Sequence, residues 1–172
     1  MKDIGPDASE LVRTLEWDAD EWRDARDAKL AEWLQNPDAA RFFVDLSHFV
    51  EVFDDYVDAD VVVKKDDMAH AVLAVLYYIP SNPFFAANRI ALLPHLFMCT
   101  NAWLDSNELC TGDTSDKALA YTLKGMGVDV LLACITITRG VAYMRSVSVE
   151  VRRLFMAYQP FADYLKEQDH VV

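Results

Sequence analysis

The chain has 172 residues, of which 53% are hydrophobic and 26% are charged, and its formal net charge is −12. This apolar content excludes a disordered chain, and the length predicts one domain over residues 1–172 with a core of its own. The negative charge argues against nucleic acid and anionic membranes as partners, because both repel a polyanion. Five glycines and six prolines are too few for a fold rich in β-turns.

Apolar residues recur at helical spacing along most of the chain, which predicts an all-α fold, a single compact bundle of six or seven helices. The predicted helices span residues 9–35, 37–57, 66–79, 84–109, 116–138 and 148–159, with a short tail helix after Pro160. The third helix is apolar nearly all round after His70, which predicts a central position in the bundle. Pro94 predicts a kink or break in the fourth helix.

The cysteine pattern and the chain start indicate the compartment. Cys99, Cys110 and Cys134 are odd in number and form no C-x-x-C pair, which predicts reduced thiols in a reducing compartment. The first residues are polar and acidic, unlike a signal peptide, and the longest apolar run (128–137) is too short to span a bilayer. We therefore expect a cytoplasmic protein.

The densest group of acidic residues lies at the end of the second predicted helix. It consists of Glu51, Asp54, Asp55, Asp58 and Asp60. On a helix, residues three and four apart share a face, so the first four carboxylates should lie together, opposite a phenylalanine-rich stripe. Such a face is either a solvated outer surface or a site for Mg²⁺ or a cationic partner, which would relieve the repulsion.

Two further patterns offer metal ligands. The spacing Asp-x-x-His occurs twice, ending at His48 and at His70, and helix-bundle metal sites use this geometry. Each histidine also has a purely structural interpretation. Asp129 lies in an apolar stretch and needs a partner there, for which Arg89 and Arg139 are the candidates; otherwise it is a catalytic or metal-binding acid.

Complete active-site motifs are missing from the sequence. It contains no phosphate-binding glycine loop, no zinc-protease motif, no serine-hydrolase elbow and no basic patch with interleaved aromatic residues. The segment Asp54, Asp55, Asp58 resembles the DDxxD motif that binds Mg²⁺-diphosphate in class I terpene and prenyl synthases. The second acidic motif of those families is matched poorly by residues 101–108, and the chain is short for that fold.

A broader resemblance, over about half the chain, is to small acidic helical proteins of tailed phages. The residues that carry it are the Asp-Asp-x-x-Asp segment, Asn82, Pro83, Phe84, Phe85, Asn88, Pro94, Trp103, Asp116 and Lys117. This resemblance implies a phage origin, with the protein in the host cell cytoplasm or in the virion, and leaves the activity open.

Two functions follow as hypotheses. The first is a non-enzymatic interaction or virion structural protein without a cofactor, whose residues Glu51–Asp60 bind a protein partner with a basic surface; self-association is left open. The alternative is a divalent-metal-dependent hydrolase of a phosphorylated small molecule. In the alternative, Asp54, Asp55 and Asp58 hold Mg²⁺ or Mn²⁺, and the site is completed by His48, His70 or Asp129. Convergence of these side chains on one cavity would favour the enzyme.

Overall fold

The computed structural model describes residues 19–58, 61–157 and 159–168, and these form helices joined by short turns, with no strand among them. The predicted all-α bundle is confirmed. Its helices are α1 (Ala19–Leu34), α2 (Pro37–Asp58), α3 (Lys65–Leu73, the π-helical segment Ala74–Tyr78 and Ile79–Ser81), α4 (Pro83–Leu109), α5 (Thr114–Arg139, with a turn between Thr114–Lys124 and Gly127–Arg139), α6 (Val141–Met156) and α7 (Phe161–Gln168).

Polar side chains fix where three of the helices begin. The side chain of Asn36 accepts a hydrogen bond from the Ala39 amide at 2.9 Å, just ahead of Pro37. Asn82 caps α4 in the same way, and Asp113 caps α5 by accepting from the amides of Ser115 and Asp116. These caps satisfy amides that have no partner within the first helical turn.

The second half of α5 is the centre of the core. Its residues Leu131 and Ile135 are fully buried, and they belong to one cluster with Trp33 of α1, Phe42 of α2 and Leu92 of α4. Gly140, with φ of +82°, reverses the chain into α6, which packs back along this half of α5. The bundle is thus arranged around one apolar helix.

The prediction that the third helix is central is wrong. α3 packs mainly on α2, and only Ala71, Ala74 and Ile79 of its residues are buried. Leu76 and Tyr77 are 73% and 62% exposed. Most apolar side chains of α3 are therefore exposed at the surface, because α5 already occupies the centre of the bundle.

Two predicted boundaries also differ from the structure. α4 runs through Pro94 without a break, and the carbonyl of Ile90, four residues earlier, lies on an exposed part of the helix where water can bond to it. The last long helix begins at Val141, directly after Gly140, and not at residue 148. The part of the first predicted helix before Ala19 lies outside the described residues.

Within the described residues, Thr114–Arg139 is long and apolar enough to cross a membrane by length and composition. Six residues of its second half are buried in the core of the bundle, and 39% of its most apolar 18-residue window is buried.

Candidate functional site

The acidic cluster of α2 is largely bonded to other parts of the chain. Glu51 accepts from Arg23 of α1 at 2.9 Å, and Asp54 accepts from the indole N–H of Trp103 on α4 at 2.6 Å. Asp58 accepts from the Lys124 ammonium of α5 at 3.2 Å. Asp55 is half-buried, and Asp60 lies outside the described residues.

Lys124 joins two of the predicted carboxylates. Its Nζ lies 3.6 Å from Asp54 and 3.2 Å from Asp58, and its side chain is 23% exposed. Burial lowers the pKa of Lys124, but the charges of Asp54 and Asp58 more than offset this, so that the pKa is raised above 10.5. A single ammonium group therefore relieves the repulsion for which the sequence suggested a metal ion or a cationic partner.

The face assignment at the end of α2 is accordingly corrected. The phenylalanine-rich stripe, predicted to lie opposite the acidic face, ends with Phe53 and Val57. These two residues are 42% and 45% exposed, whereas Val52 is buried. Asp54 and Asp58 contact α4 and α5 instead of forming the outer side. The helix is rotated so that a carboxylate row lies against neighbours that carry the matching donors.

We expect this ion pair to make the free energy of unfolding depend on pH in the alkaline range. The pKa of Lys124 is raised in the folded protein. The stabilisation by its ion pairs is therefore present below pH 10.5 and is lost as the pH rises through the folded-state pKa. Lys124→Met should cost about 1 kcal/mol at neutral pH, and this difference from wild type should shrink above about pH 10. Urea unfolding across this range measures it.

Lys64→Met is the matched control, because Lys64 is exposed in the connector before α3. It should change the free energy of unfolding by less than about 0.5 kcal/mol at every pH. A Lys124→Met difference that stays constant up to about pH 11 would contradict the assignment.

The two predicted histidines meet between α2 and α3. The rings of His48 and His70 are 4.6 Å apart, and Tyr78 stands edge-on to His70 at 5.6 Å. The Nε2 atom of His48 is buried and has no hydrogen-bond partner among the described residues. Asp45, the carboxylate of the first Asp-x-x-His pattern, is buried and bonded to Arg41 at 2.9 Å.

Asp129 lies in a different part of the molecule. It pairs with Arg152 of α6 at 2.5 Å, and its side chain is 35% exposed. The ion-pair interpretation is therefore right, but neither predicted partner supplies it. Arg139 lies over the Tyr143 ring at 4.0 Å, and Arg89 is on the exposed side of α4.

Asp129 and Arg152 border an open cleft of 640 Å³ between α4, the second half of α5 and α6. The other lining residues are mostly apolar, and they include Met98, Cys99, Met126, Leu132 and Met144. Burial raises the pKa of the Cys99 thiol, and the charge of Asp129 raises it further. A protonated thiol is a poor nucleophile, so the cleft offers apolar surface more than reactive groups.

The metal candidates thus fall into three separate places: Asp54 with Asp58, His48 with His70, and Asp129. Across residues 19–58, 61–157 and 159–168, no group of three or more His, Cys, Asp or Glu side chains is arranged to hold a metal ion.

The exposed large apolar side chains of the described residues are concentrated on two consecutive helices, α3 and α4, and no motif in the sequence pointed to them. We call this patch the α3–α4 surface, and it consists of Val72, Leu73, Val75, Leu76 and Tyr77 of α3 with Ile90, Leu93, Phe97, Met98 and Leu104 of α4, each between 42% and 83% exposed. The sequence carried a signal for it: residues 73–104 contain no acidic residue and one arginine, in a chain with 28 acids.

Comparison with protein-family models, with curated proteins and with solved structures finds no match to this chain. The class of the protein therefore follows from its own architecture, an all-α bundle with an internally paired acidic cluster and a large exposed apolar surface.

Proposed function

We propose that this chain is a non-enzymatic interaction protein that binds another protein through the α3–α4 surface. The observation that carries the proposal is the exposure of ten large apolar side chains on two consecutive helices. Monomeric proteins rarely expose apolar patches of more than about 300–600 Å², and larger ones mark interaction sites. Aromatic residues and methionine, which are enriched in protein interfaces, are represented by Tyr77, Phe97 and Met98.

The charge pattern favours an apolar contact over the acidic one predicted from the sequence. A partner with a basic surface would compete with Arg23 and Lys124 for Glu51, Asp54 and Asp58. The exchange of one ion pair for another contributes little, because exposed pairs are worth less than about 1 kcal/mol. Among the described residues, no such ion pair has to be displaced from the α3–α4 surface.

The resemblance to tailed-phage proteins supports a setting for this function. A virion component, or a phage protein that binds a host protein in the cytoplasm, would work through contacts of this kind. The metal-dependent hydrolase has less support, because Lys124 occupies the position between Asp54 and Asp58 that Mg²⁺ or Mn²⁺ would need.

The proposal is tested by affinity capture from a lysate of the producing cells. Leu76→Asp on α3 should abolish the capture of protein by the tagged chain, because a buried carboxylate without a partner opposes association. Leu119→Asp is the matched control: Leu119 is 49% exposed on the first half of α5 and is not one of the ten residues of the α3–α4 surface, so its replacement should leave capture unchanged.

The acidic hypothesis makes the opposite prediction in the same assay. If capture survives Leu76→Asp but is lost in Asp55→Asn, the binding site is the acidic cluster at the end of α2. If the wild-type chain captures no protein, untagged copies of the chain itself included, the proposed function is contradicted.

A further inference from the structure

One face of α4 carries large apolar side chains at a regular spacing. Ile90, Leu93, Phe97 and Leu104 follow each other at intervals of three, four and seven residues, and we call this row the α4 seam. Alternating three- and four-residue intervals are typical of a helix that packs along a second helix at a shallow angle. Within this bundle the row faces outward, with Ile90 83% exposed and Phe97 70% exposed.

The exposed area suits a dimer interface of ordinary size. Phe97 alone exposes about 100–175 Å², because a fully buried aromatic side chain covers about 150–250 Å². With the aliphatic side chains of the other three seam residues and the adjacent Met98, the exposed apolar surface is roughly 500 Å². A standard interface buries about 800 Å² per partner, and about 65% of a homodimer interface is apolar. That amounts to roughly 520 Å² per partner, which the seam and Met98 together nearly supply.

The distribution of charge along α4 permits a second copy of the chain to approach. Residues 83–104 of α4 contain no carboxylate, and Arg89 and His95 are their only basic side chains. Two chains of net charge −12 repel each other over most of their surfaces, so they can approach closely only through faces that lack negative charge. The α4 seam is such a face, and a second copy necessarily presents an equivalent one.

We propose that the α4 seam binds a second copy of this chain in an antiparallel, two-fold symmetric dimer; this inference rests on the proposed function and names its partner. A parallel pair would bring Asp105 and Glu108, which follow the seam, next to their own copies. An antiparallel pair puts them at the same end as Arg89 of the other copy. Phe97, at the middle of the seam, then lies close to the two-fold axis.

Light scattering after size exclusion tests the dimer over roughly a hundredfold range of protein concentration. Wild type should approach twice the 19.5 kDa mass of one chain as its concentration rises. Leu93→Asp should remain at the single-chain mass, because each copy would bring a carboxylate into the seam. Leu119→Asp is the control, since Leu93 and Leu119 are 51% and 49% exposed on different helices, and it should dimerise like wild type.

A disulfide test reports the geometry and does not depend on an introduced charge. Helix axes about 9 Å apart, with Cα atoms about 2.3 Å from each axis, put two axial residues about 4–5 Å apart, within reach of a disulfide. Under mild oxidation Phe97→Cys should form a covalent dimer that a reductant reverses. Ile90→Cys should not, because an antiparallel pair separates the two copies of residue 90.

Three results would overturn the dimer. They are a wild-type chain that keeps the single-chain mass at every concentration, a loss of dimer in Leu119→Asp as large as in Leu93→Asp, and cross-linking of Ile90→Cys as strong as that of Phe97→Cys. Binding of a single-chain wild type to phosphatidylcholine vesicles would also overturn it and assign the seam to a lipid surface. A single-chain protein that still captures another protein through Leu76 would refute the dimer alone and leave the proposed function intact.

Discussion

Replacement of Phe42 by alanine is expected to lower the free energy of unfolding by about 3–5 kcal/mol. Phe42 is fully buried on α2, stacks on Phe85 at 5.2 Å between ring centroids and contacts Phe84 at 6.2 Å. Its removal leaves a cavity where α2 meets the start of α4, and these helices are held too firmly by the surrounding core to close it. Urea unfolding followed by circular dichroism measures the change.

Tyr56→Ala is the control on the same helix, because Tyr56 is 63% exposed. Its effect should stay within about 0.5 kcal/mol. A loss below about 1 kcal/mol for Phe42→Ala would show that the contact between α2 and α4 is looser than described.

The second large effect is expected for Asn82→Ala, at about 2 kcal/mol of stability. The buried Asn82 side chain accepts from the Phe85 amide at 3.1 Å and donates to the Asp38 carbonyl at 2.9 Å. Alanine removes the cap of α4 and the bond to the first turn of α2 together, and each is worth about 1 kcal/mol.

Asp113→Ala separates these two contributions. Asp113 caps α5 at an exposed position and makes no bond to another helix among those observed for it. Its loss should therefore cost about 1 kcal/mol, roughly half the effect at Asn82, in the same unfolding assay. Equal effects at the two positions would mean that the bond from Asn82 to Asp38 contributes nothing.

The helices and several of their ends could be predicted because their causes are local. Asn36 followed by Pro37, and Asn82 followed by Pro83, each combine a capping side chain with a residue suited to the first turn. Gly140 also marks an end, but the prediction missed that α6 begins at once beyond it. A single glycine suffices for the reversal there, which no propensity scale indicates.

The position of α3 could not be predicted because it depends on competition between helices. Both α3 and the second half of α5 are rich in apolar residues, and a bundle of this size accommodates one central helix. Leu131 and Ile135 occupy that place, and Leu76 of α3 is left at the surface. The two helices are similarly apolar, so composition does not indicate which of them is central. Their packing does.

The contacts of the acidic cluster were hidden by distance along the chain. The Asp54–Trp103 and Asp58–Lys124 bonds join residues 49 and 66 positions apart. Helical periodicity predicts which residues share a face, but the direction of that face depends on the neighbouring helices. The meeting of His48 with His70 had a better signal, because helices that follow each other along the chain tend to pack side by side.

The reversal at Gly140 also bears on the order in which the helices pair during folding. α6 and the second half of α5 are joined by one residue, so the loop that closes when they pair costs little entropy. α1 packs on the neighbouring α2, but other contacts of α1 are distant in sequence: the indole of Trp22 donates to the carbonyl of Leu154, 132 positions away, and Arg139 reaches the carbonyl of Glu32 across 107. Contacts of such high contact order form late, because a long loop must first be closed. The α5–α6 pair is thus suited to nucleate folding, and the docking of α1 on α5 and α6 to complete it.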